Sequence, residues 1–330
     1  MRILVTGGAG YVGSVSAERL LAAGHDVVVL DSLVTGHRAA VPVGARLEVG
    51  SYGDLEAVAA LLERERIDAV LHCGARSLVG ESVREPALYY RENVVGGVAL
   101  LDAMTRAHVG RIVFSSTAAV YGVPESSPIP EDAPLRPINP YGETKRAFEG
   151  ALAAYGAAAA IRSVTLRYFN VAGATEQLGE DHDPETHLVP NVLRAAADGD
   201  ELTIFGADYP TRDGTCVRDY VDVADVADAH LAALEATALA DARTAEPLAL
   251  NLGNGGGFSV REVLDAADRV VGRPIPHRDG PRRTGDPPVL VADATRAADI
   301  LGWRPQRRDL ETMLGSAWEW RRRHPAGYGD

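Results

Sequence analysis

Two cysteines in 330 residues, Cys73 and Cys216, are too few for a disulfide framework or a thiolate metal site. Both are expected to be small, buried, reduced residues. No apolar run is long enough to cross a bilayer. The opening residues lack the apolar core and cleavage site of a secretory leader, so the expectation is a cytoplasmic protein. Basic residues are outnumbered, 33 Lys and Arg against 46 Asp and Glu, for a formal charge of -13. That balance argues against nucleic acid or an anionic membrane as the main partner. A local arginine cluster could still hold a phosphorylated small molecule. With 46% hydrophobic and 24% charged residues, the composition is that of a globular chain long enough for one large or two ordinary domains.

The chain starts with a short buried strand, Ile3-Leu4-Val5, which runs into Gly7-Gly8-Ala9-Gly10-Tyr11-Val12-Gly13. A helical pattern follows from Ser14 to Ala23, and a second strand, Val27 to Leu30, ends at Asp31. Strand, glycine turn, helix, strand, acid is the order a dinucleotide fold requires. Gly7, Gly10 and Gly13 allow close backbone approach to a pyrophosphate at the helix N-terminus. Asp31 can accept hydrogen bonds from an adenosine ribose and would repel a 2′-phosphate, which favours NAD over NADP.

The alternation continues with strands expected at Leu47–Val49, Ala69–His72, Arg111–Ser115 and Val164–Tyr168, and helices at Leu55–Arg64 and Ala87–Ala107. Asn139 and Pro140 suit the cap and first position of another helix running towards Tyr155. Past Asn170 the character changes to glycine, acid and proline-rich connections. A late helix, Ala224–Leu234, and strand, Leu248–Leu252, return to the sheet, and a closing helix at Leu310–Arg322 carries Trp318 and Trp320 as packing residues. The fold class is α/β: a doubly wound parallel sheet over residues 1–170 and 224–252, with a smaller substrate-binding α/β domain from 171–223 and 253–330.

Tyr141 and Lys145 stand i and i+4 on one helical face. A phenol has a reference pKa of ~10, and a cation held nearby favours its ionised form. Lys145, helped by a cationic nicotinamide, is expected to pull Tyr141 towards neutrality. Tyr-x-x-x-Lys also occurs on ordinary amphipathic helices; its weight here comes from the glycine turn and from Phe114-Ser115-Ser116-Thr117, which ends the fifth strand. A hydroxyl, a tyrosine and a lysine suit removal of an alcohol proton while the same carbon loses hydride.

With these motifs the chain resembles the extended short-chain dehydrogenase/reductases, and most narrowly the UDP-glucose (UDP-galactose) 4-epimerase family. The resemblance runs nearly end to end, through Val79-Gly80-Glu81-Ser82, Leu166-Arg167-Tyr168-Phe169-Asn170, Asp213 to Tyr220 and Arg282-Arg283-Thr284-Gly285-Asp286. It implies Tyr141 as the base at the sugar 4-hydroxyl, Thr117 as a hydrogen-bond partner of O4, and Lys145 on the nicotinamide ribose. It places Tyr11, Val12, Ser51, Tyr52, Asn93, Ser115 and Tyr168 at the NAD. Arg218 and Arg283 are the implied pyrophosphate clamp, with Asn170 on the phosphates and Phe205 against uracil. Phe169, His187, Leu188, Thr203, Asp286 and Leu290 complete the implied nucleotide-sugar site, Leu290 standing at the wall that governs sugar bulk. A homodimer follows by the same analogy, through the helices at Ala87–Ala107 and Tyr141–Tyr155.

The chain departs from the family at Ser77, often a lysine, and at Ser51, often an acid. His187 is not expected to bind metal, because no second ligand is spaced to help it, and no metal site is expected elsewhere. Action on UDP-N-acetylhexosamines is an alternative reading. A 4,6-dehydratase is another, but Ala118 and Ala119 follow Thr117 where elimination needs carboxylates. A non-catalytic NAD sensor would commonly lose the tyrosine or the lysine, and both are present.

Overall fold

The structure, a computed structural model, describes residues 1–239, 247–283 and 286–329. Seven parallel strands form the main sheet: β1 (Arg2–Thr6), β2 (Asp26–Asp31), β3 (Arg46–Val49), β4 (Ala69–His72), β5 (Arg111–Thr117), β6 (Arg162–Tyr168) and β7 (Leu248–Leu252). Their order is β7-β6-β5-β4-β1-β2-β3. The chain winds one way from β1 to β3 and the other way from β4 to β7. The switch therefore falls between the carboxyl ends of β1 and β4, where such sheets bind ligands.

Period-two alternation divides the apolar side chains between two faces. Ile3, Val5, Val27, Val29 and Leu71 pack with Leu20 and Leu234 under the helices Tyr11–Ala22 and Val223–Leu239. Leu4, Val28, Leu30, Val70 and Ile112 pack with Leu62, Leu101 and Phe148 under Leu55–Glu65, Gly97–Arg106 and Pro140–Ala159. Both faces are covered, so the strands read as apolar runs. Truncating one such side chain, Leu4→Ala for example, would cost ~2–5 kcal/mol.

Three short sheets follow: Asn170–Ala172 with Tyr220–Asp222, Leu202–Phe205 with His277–Gly280, and Val217–Arg218 between Phe258–Ser259 and Val289–Leu290. They share a core with helices Leu188–Asp198, Val260–Val271 and Leu310–Arg323. Trp320 is buried and Trp318 partly so, both as packing residues. No helix among the described residues is long and apolar enough to cross a membrane.

Two expectations need correction. The first helix begins at Tyr11, not Ser14, because Gly10 takes the cap position inside the glycine turn. The expected single helix Ala87–Ala107 is instead a short helix, Pro86–Tyr89, a wide π-helical segment, Tyr90–Gly96, and a helix, Gly97–Arg106. Gly96 and Gly97 sit at the join because Tyr52 and Phe148 press against them; a Cβ on Gly97 would lie 2.6 Å from the Phe148 ring. An additional helix, Val79–Arg84, precedes this segment.

Candidate active site

At the switch point the turns after β1 and β4 touch. A Cβ on Gly7 would lie 2.5 Å from Gly74 Cα, and one on Gly13 only 2.1 Å from the Gly7 carbonyl oxygen. Gly7 also has a φ of +69°, so glycine is demanded there by the protein itself. Gly10 differs: an added Cβ would meet only the Gly7 oxygen, at 3.5 Å. Its bareness is explained by a ligand approaching from outside. The helix it starts has no side-chain cap, leaving N-terminal amides and the positive dipole end for an anion. Asp31, at the end of β2, accepts the amides of Ala9 and Leu33, each at 2.9 Å, one on each oxygen. The second lone pair of each oxygen remains for a diol. These residues fit the diphosphate and ribose of a dinucleotide.

Several expected cofactor residues have their side chains engaged by the protein. Tyr11 donates to the Gly173 carbonyl at 2.6 Å and is buried, so it can offer a ligand its backbone only. The Asn93 amide bonds both the N–H and the C=O of Arg76, at 2.8 and 2.9 Å, and reaches Thr144 at 3.0 Å. It fixes the turn after β4. Tyr52 donates to the Glu92 carbonyl and packs its ring edge against His72, while Ser51 Oγ accepts the Gly53 amide.

The helix Pro140–Ala159 is capped as its sequence requires: Asn139 accepts the Gly142 amide at 2.9 Å, and Pro140 occupies the first turn. Lys145 is buried and donates to the Ser115 carbonyl at 2.8 Å, with its Nζ 5.9 Å from the centre of the Tyr141 ring. Ser115 Oγ lies 2.9 Å from His230 Nε2 and 3.2 Å from Cys73 Sγ, so its hydroxyl is enclosed and its carbonyl positions the lysine. Burial pushes the Tyr141 phenol up to about 12, against a hydrogen bond from Thr117 that favours the phenolate. Burial pushes Lys145 down to about 8. The protein groups alone therefore do not produce the expected fall at Tyr141. Both groups share one desolvated pocket, and the lysine is aimed at a carbonyl. Tyr168 lies in the same pocket, raised well above the ordinary tyrosine range by burial first and then by Cys73 and Tyr141.

Sequence reasoning missed what stands behind this group. Glu149, one further turn along the Tyr141–Lys145 face, receives Arg167 on both oxygens, at 3.1 and 2.6 Å, and Ser116 at 2.6 Å. Arg167 also donates to Tyr121 at 2.9 Å and to the Glu131 carbonyl at 3.1 Å. The signal was available: an arginine at a buried position near the end of a central strand needs a buried acid.

The expected substrate residues lie on the short sheets and their connections. Arg218 is ion-paired with Asp286 and stands in register with Leu290 on the neighbouring strand. Leu290 packs against the cluster of Ala118, Val120, Tyr121 and Phe169, which sets the second half's wall on the turn after Thr117. The Arg283 guanidinium lies 4.2 Å from the centre of the Phe205 ring. Thr203 is on the same strand as Phe205, and the Asn170 backbone N–H donates to the Asp219 carbonyl. Leu188 begins the helix that His187 caps. Thr284 and Gly285, in the quoted Arg-Arg-Thr-Gly-Asp segment, lie outside the described residues. A cleft of about 430 Å³ between Arg212, Val217, Val289 and Val291 is lined by none of the expected site residues.

The reasoning that set His187 aside as a metal ligand fails. Glu180, His182 and Glu185 gather around it, and the four ligand atoms lie within 4.8 Å of one another. All four residues lie within one eight-residue stretch, and the loop conformation turns their side chains towards one another. Burial alone would lower both histidines, but the neighbouring carboxylates outweigh it and hold His182 at about 9 and His187 at about 10.

The comparison with known proteins agrees with this arrangement. The family model described as "NAD dependent epimerase/dehydratase family" matches residues 3–253. The chain belongs to that family. It is 50% identical to the UDP-glucose 4-epimerase of Lactobacillus helveticus, over 100% of both chains. Among solved structures it resembles the UDP-glucose 4-epimerase of Brucella ovis in complex with NAD, with 44% identity, a TM-score of 0.92 and coverage of 96% of this chain and 97% of that one. The Bifidobacterium longum UDP-glucose 4-epimerase, in complex with NAD⁺ and UDP, gives a TM-score of 0.92 at 35% identity over 99% of this chain and 100% of that one. The pocket around Tyr141 lies at the carboxyl end of β5, one strand from the switch point.

Proposed function

We propose that the chain interconverts UDP-glucose and UDP-galactose with NAD as a bound cofactor. The observation that carries the reading is the set of Thr117, Tyr141 and the buried Lys145 at the carboxyl end of β5, beside an uncapped glycine-turn helix. Full-length identity of about half to a UDP-glucose 4-epimerase supports it. NAD⁺, when bound, supplies a hydride acceptor at the sugar C4 and later the donor. The glycine turn, Asp31 and the Lys145 ammonium hold the cofactor. Thr117 bonds O4 and turns it towards Tyr141, whose phenolate takes the O4 proton and returns it when the 4-keto sugar is reduced on its other face. Lys145 moves from the Ser115 carbonyl towards the cofactor ribose, and a cation beside Tyr141 offsets the burial that holds its phenol protonated. Arg218 and Arg283 clamp the diphosphate, releasing Asp286 and Phe205, while the hexose is held loosely enough to turn.

The reading divides the chain into a cofactor domain, residues 1–170 and 224–252, and a nucleotide-sugar domain, residues 171–223 and 253–330. It also makes the protein a cytoplasmic homodimer. Val79, Val83, Tyr90 and Val95 leave an apolar surface between 45 and 64% exposed along the Val79–Gly96 stretch, beside the expected interface helices. Purified protein incubated with UDP-galactose and no added cofactor should yield UDP-glucose. Absence of conversion with NAD present in the preparation would overturn the reading. Light scattering at micromolar concentration should report twice the 34.9 kDa chain mass.

A further inference from the structure

In the segment from Glu180 to His187 the carboxylates of Glu180 and Glu185 meet two imidazoles, and none of the four takes part in the proton transfer at Tyr141. His182 Nδ1 lies 3.1 Å from Glu180 Oε1 and 3.8 Å from Glu185 Oε2. His187 Nδ1 lies 2.9 Å from the same Glu180 oxygen and 2.8 Å from Glu185 Oε1. Both nitrogens thus converge on a single carboxylate oxygen. The two imidazole rings have their centres 5.4 Å apart on either side of that oxygen. One divalent cation would neutralise the two carboxylates and accept both nitrogen lone pairs, with no like charges left adjacent.

We propose that Glu180, His182, Glu185 and His187 form a binding site for one divalent transition-metal ion, zinc by donor chemistry. Two imidazole nitrogens and two carboxylate oxygens are a familiar donor set for that ion. With metal–ligand distances of about 2.1 Å a tetrahedron has edges of roughly 3.4 Å. The Glu180 oxygen lies 3.1 and 2.9 Å from the two imidazole nitrogens, and the four ligand atoms lie within 4.8 Å of one another, so small side-chain shifts close the set on an ion. Supporting contacts orient the ligands from behind. Glu185 Oε1 accepts the amides of Thr186 and His187, both at 2.6 Å, and Asn191 holds the His187 carbonyl at 2.8 Å. The carboxylates are buried, at 9 and 8% exposure, while His187 remains 40% exposed and gives the ion a way in. The ion would clip the loop onto the start of the Leu188–Asp198 helix. It has no redox duty, and displaced protons pass to solvent.

The test uses untagged full-length protein, stripped with chelator, dialysed and titrated with zinc chloride. One zinc per chain should bind and survive gel filtration, as read by elemental analysis. Cobalt(II) should give the strong visible absorption of a four-coordinate ion. His182→Gln and Glu180→Gln, checked for an unchanged circular-dichroism spectrum, should each weaken zinc binding at least tenfold and abolish the cobalt band. Wild-type protein that retains no zinc, cobalt showing only the weak spectrum of a six-coordinate ion, or zinc retained equally by the folded variants would each overturn the proposal. The cobalt spectrum of the wild-type protein decides the matter even if both variants fail to fold.

Discussion

The half of the molecule built on the main sheet and the half built on the short sheets treat their charged groups in opposite ways. Around Tyr141 the charges are buried and paired in advance. Arg167 and Glu149 are 6 and 11% exposed, and Lys145 is held by a backbone carbonyl. Apart from Arg218, which pairs with Asp286 at only 12% exposure, several arginines of the second half face water with their partners: Arg261 with Asp279, Arg269 with Glu311, Arg282 with Asp208. Exposed pairs of this kind contribute ~0–1 kcal/mol each. One region is therefore pre-organised by its core. The other keeps several of its ion pairs at the surface.

Breaking the first region at its centre should give the largest effect. Tyr141→Phe keeps the ring and its packing but removes the ionisable oxygen, so kcat should fall by ~10²–10⁴ with UDP affinity nearly unchanged. Wild-type turnover in that variant would remove Tyr141 from the chemistry.

Next is the support behind it. Arg167→Met leaves Glu149 buried without its cation, and loss of one partner of a buried pair costs ~3–5 kcal/mol. Denaturant unfolding should show it. The contrast between the halves predicts that Arg282→Met, by the same measurement, leaves stability close to wild type. Equal losses in the two variants would erase the distinction.

The second region should respond in binding. Arg218→Ala removes a charge-assisted contact of ~1.5–3 kcal/mol, so KM for the UDP-sugar should rise by one to two orders of magnitude with kcat little altered. An equal loss in kcat at unchanged KM would place Arg218 in the chemical step. Leu290→Ala should favour UDP-N-acetylhexosamine over UDP-galactose by about tenfold in kcat/KM, within the ~1–3 kcal/mol that small changes in pocket volume supply. Leu290→Tyr should move the ratio the other way.

The smallest effect concerns stability. Lys145 is held near 8, below its ordinary value of 10.5, so between those values the folded chain has already released a proton that the unfolded chain keeps. Stability attributable to this residue is therefore lowest below pH 8 and rises through that window. Lys145→Met removes the buried charge, so its Tm at pH 7 should be no lower than wild type, although turnover is lost. A clearly lower Tm would show that the bond to Ser115 outweighs the desolvation.

Glycine turn, helix cap and the apolar strands were legible because each rests on a local rule. Gly7 meets a positive φ, Asn139 caps the helix start, and Ile3 to Val5 fill both faces of a covered sheet. The same locality explains the misreading of Ala87–Ala107. No periodicity in that stretch announces the ring of Phe148, fifty residues on, that presses on Gly97.

What the sequence determined by itself was the α/β order, the position of the acid after β2, and the shared helical face of Tyr141 and Lys145, because these depend on spacing along one element. Tertiary structure alone decided that Arg167 pairs with Glu149 behind this face, that Asn93 is engaged by the Arg76 backbone, and that the side chains of Glu180, His182, Glu185 and His187 meet. Contacts across strands and loops depend on where the chain returns in space, and burial then fixes their charge. That is why Tyr141, a base by its spacing, is held near 12 by the protein around it.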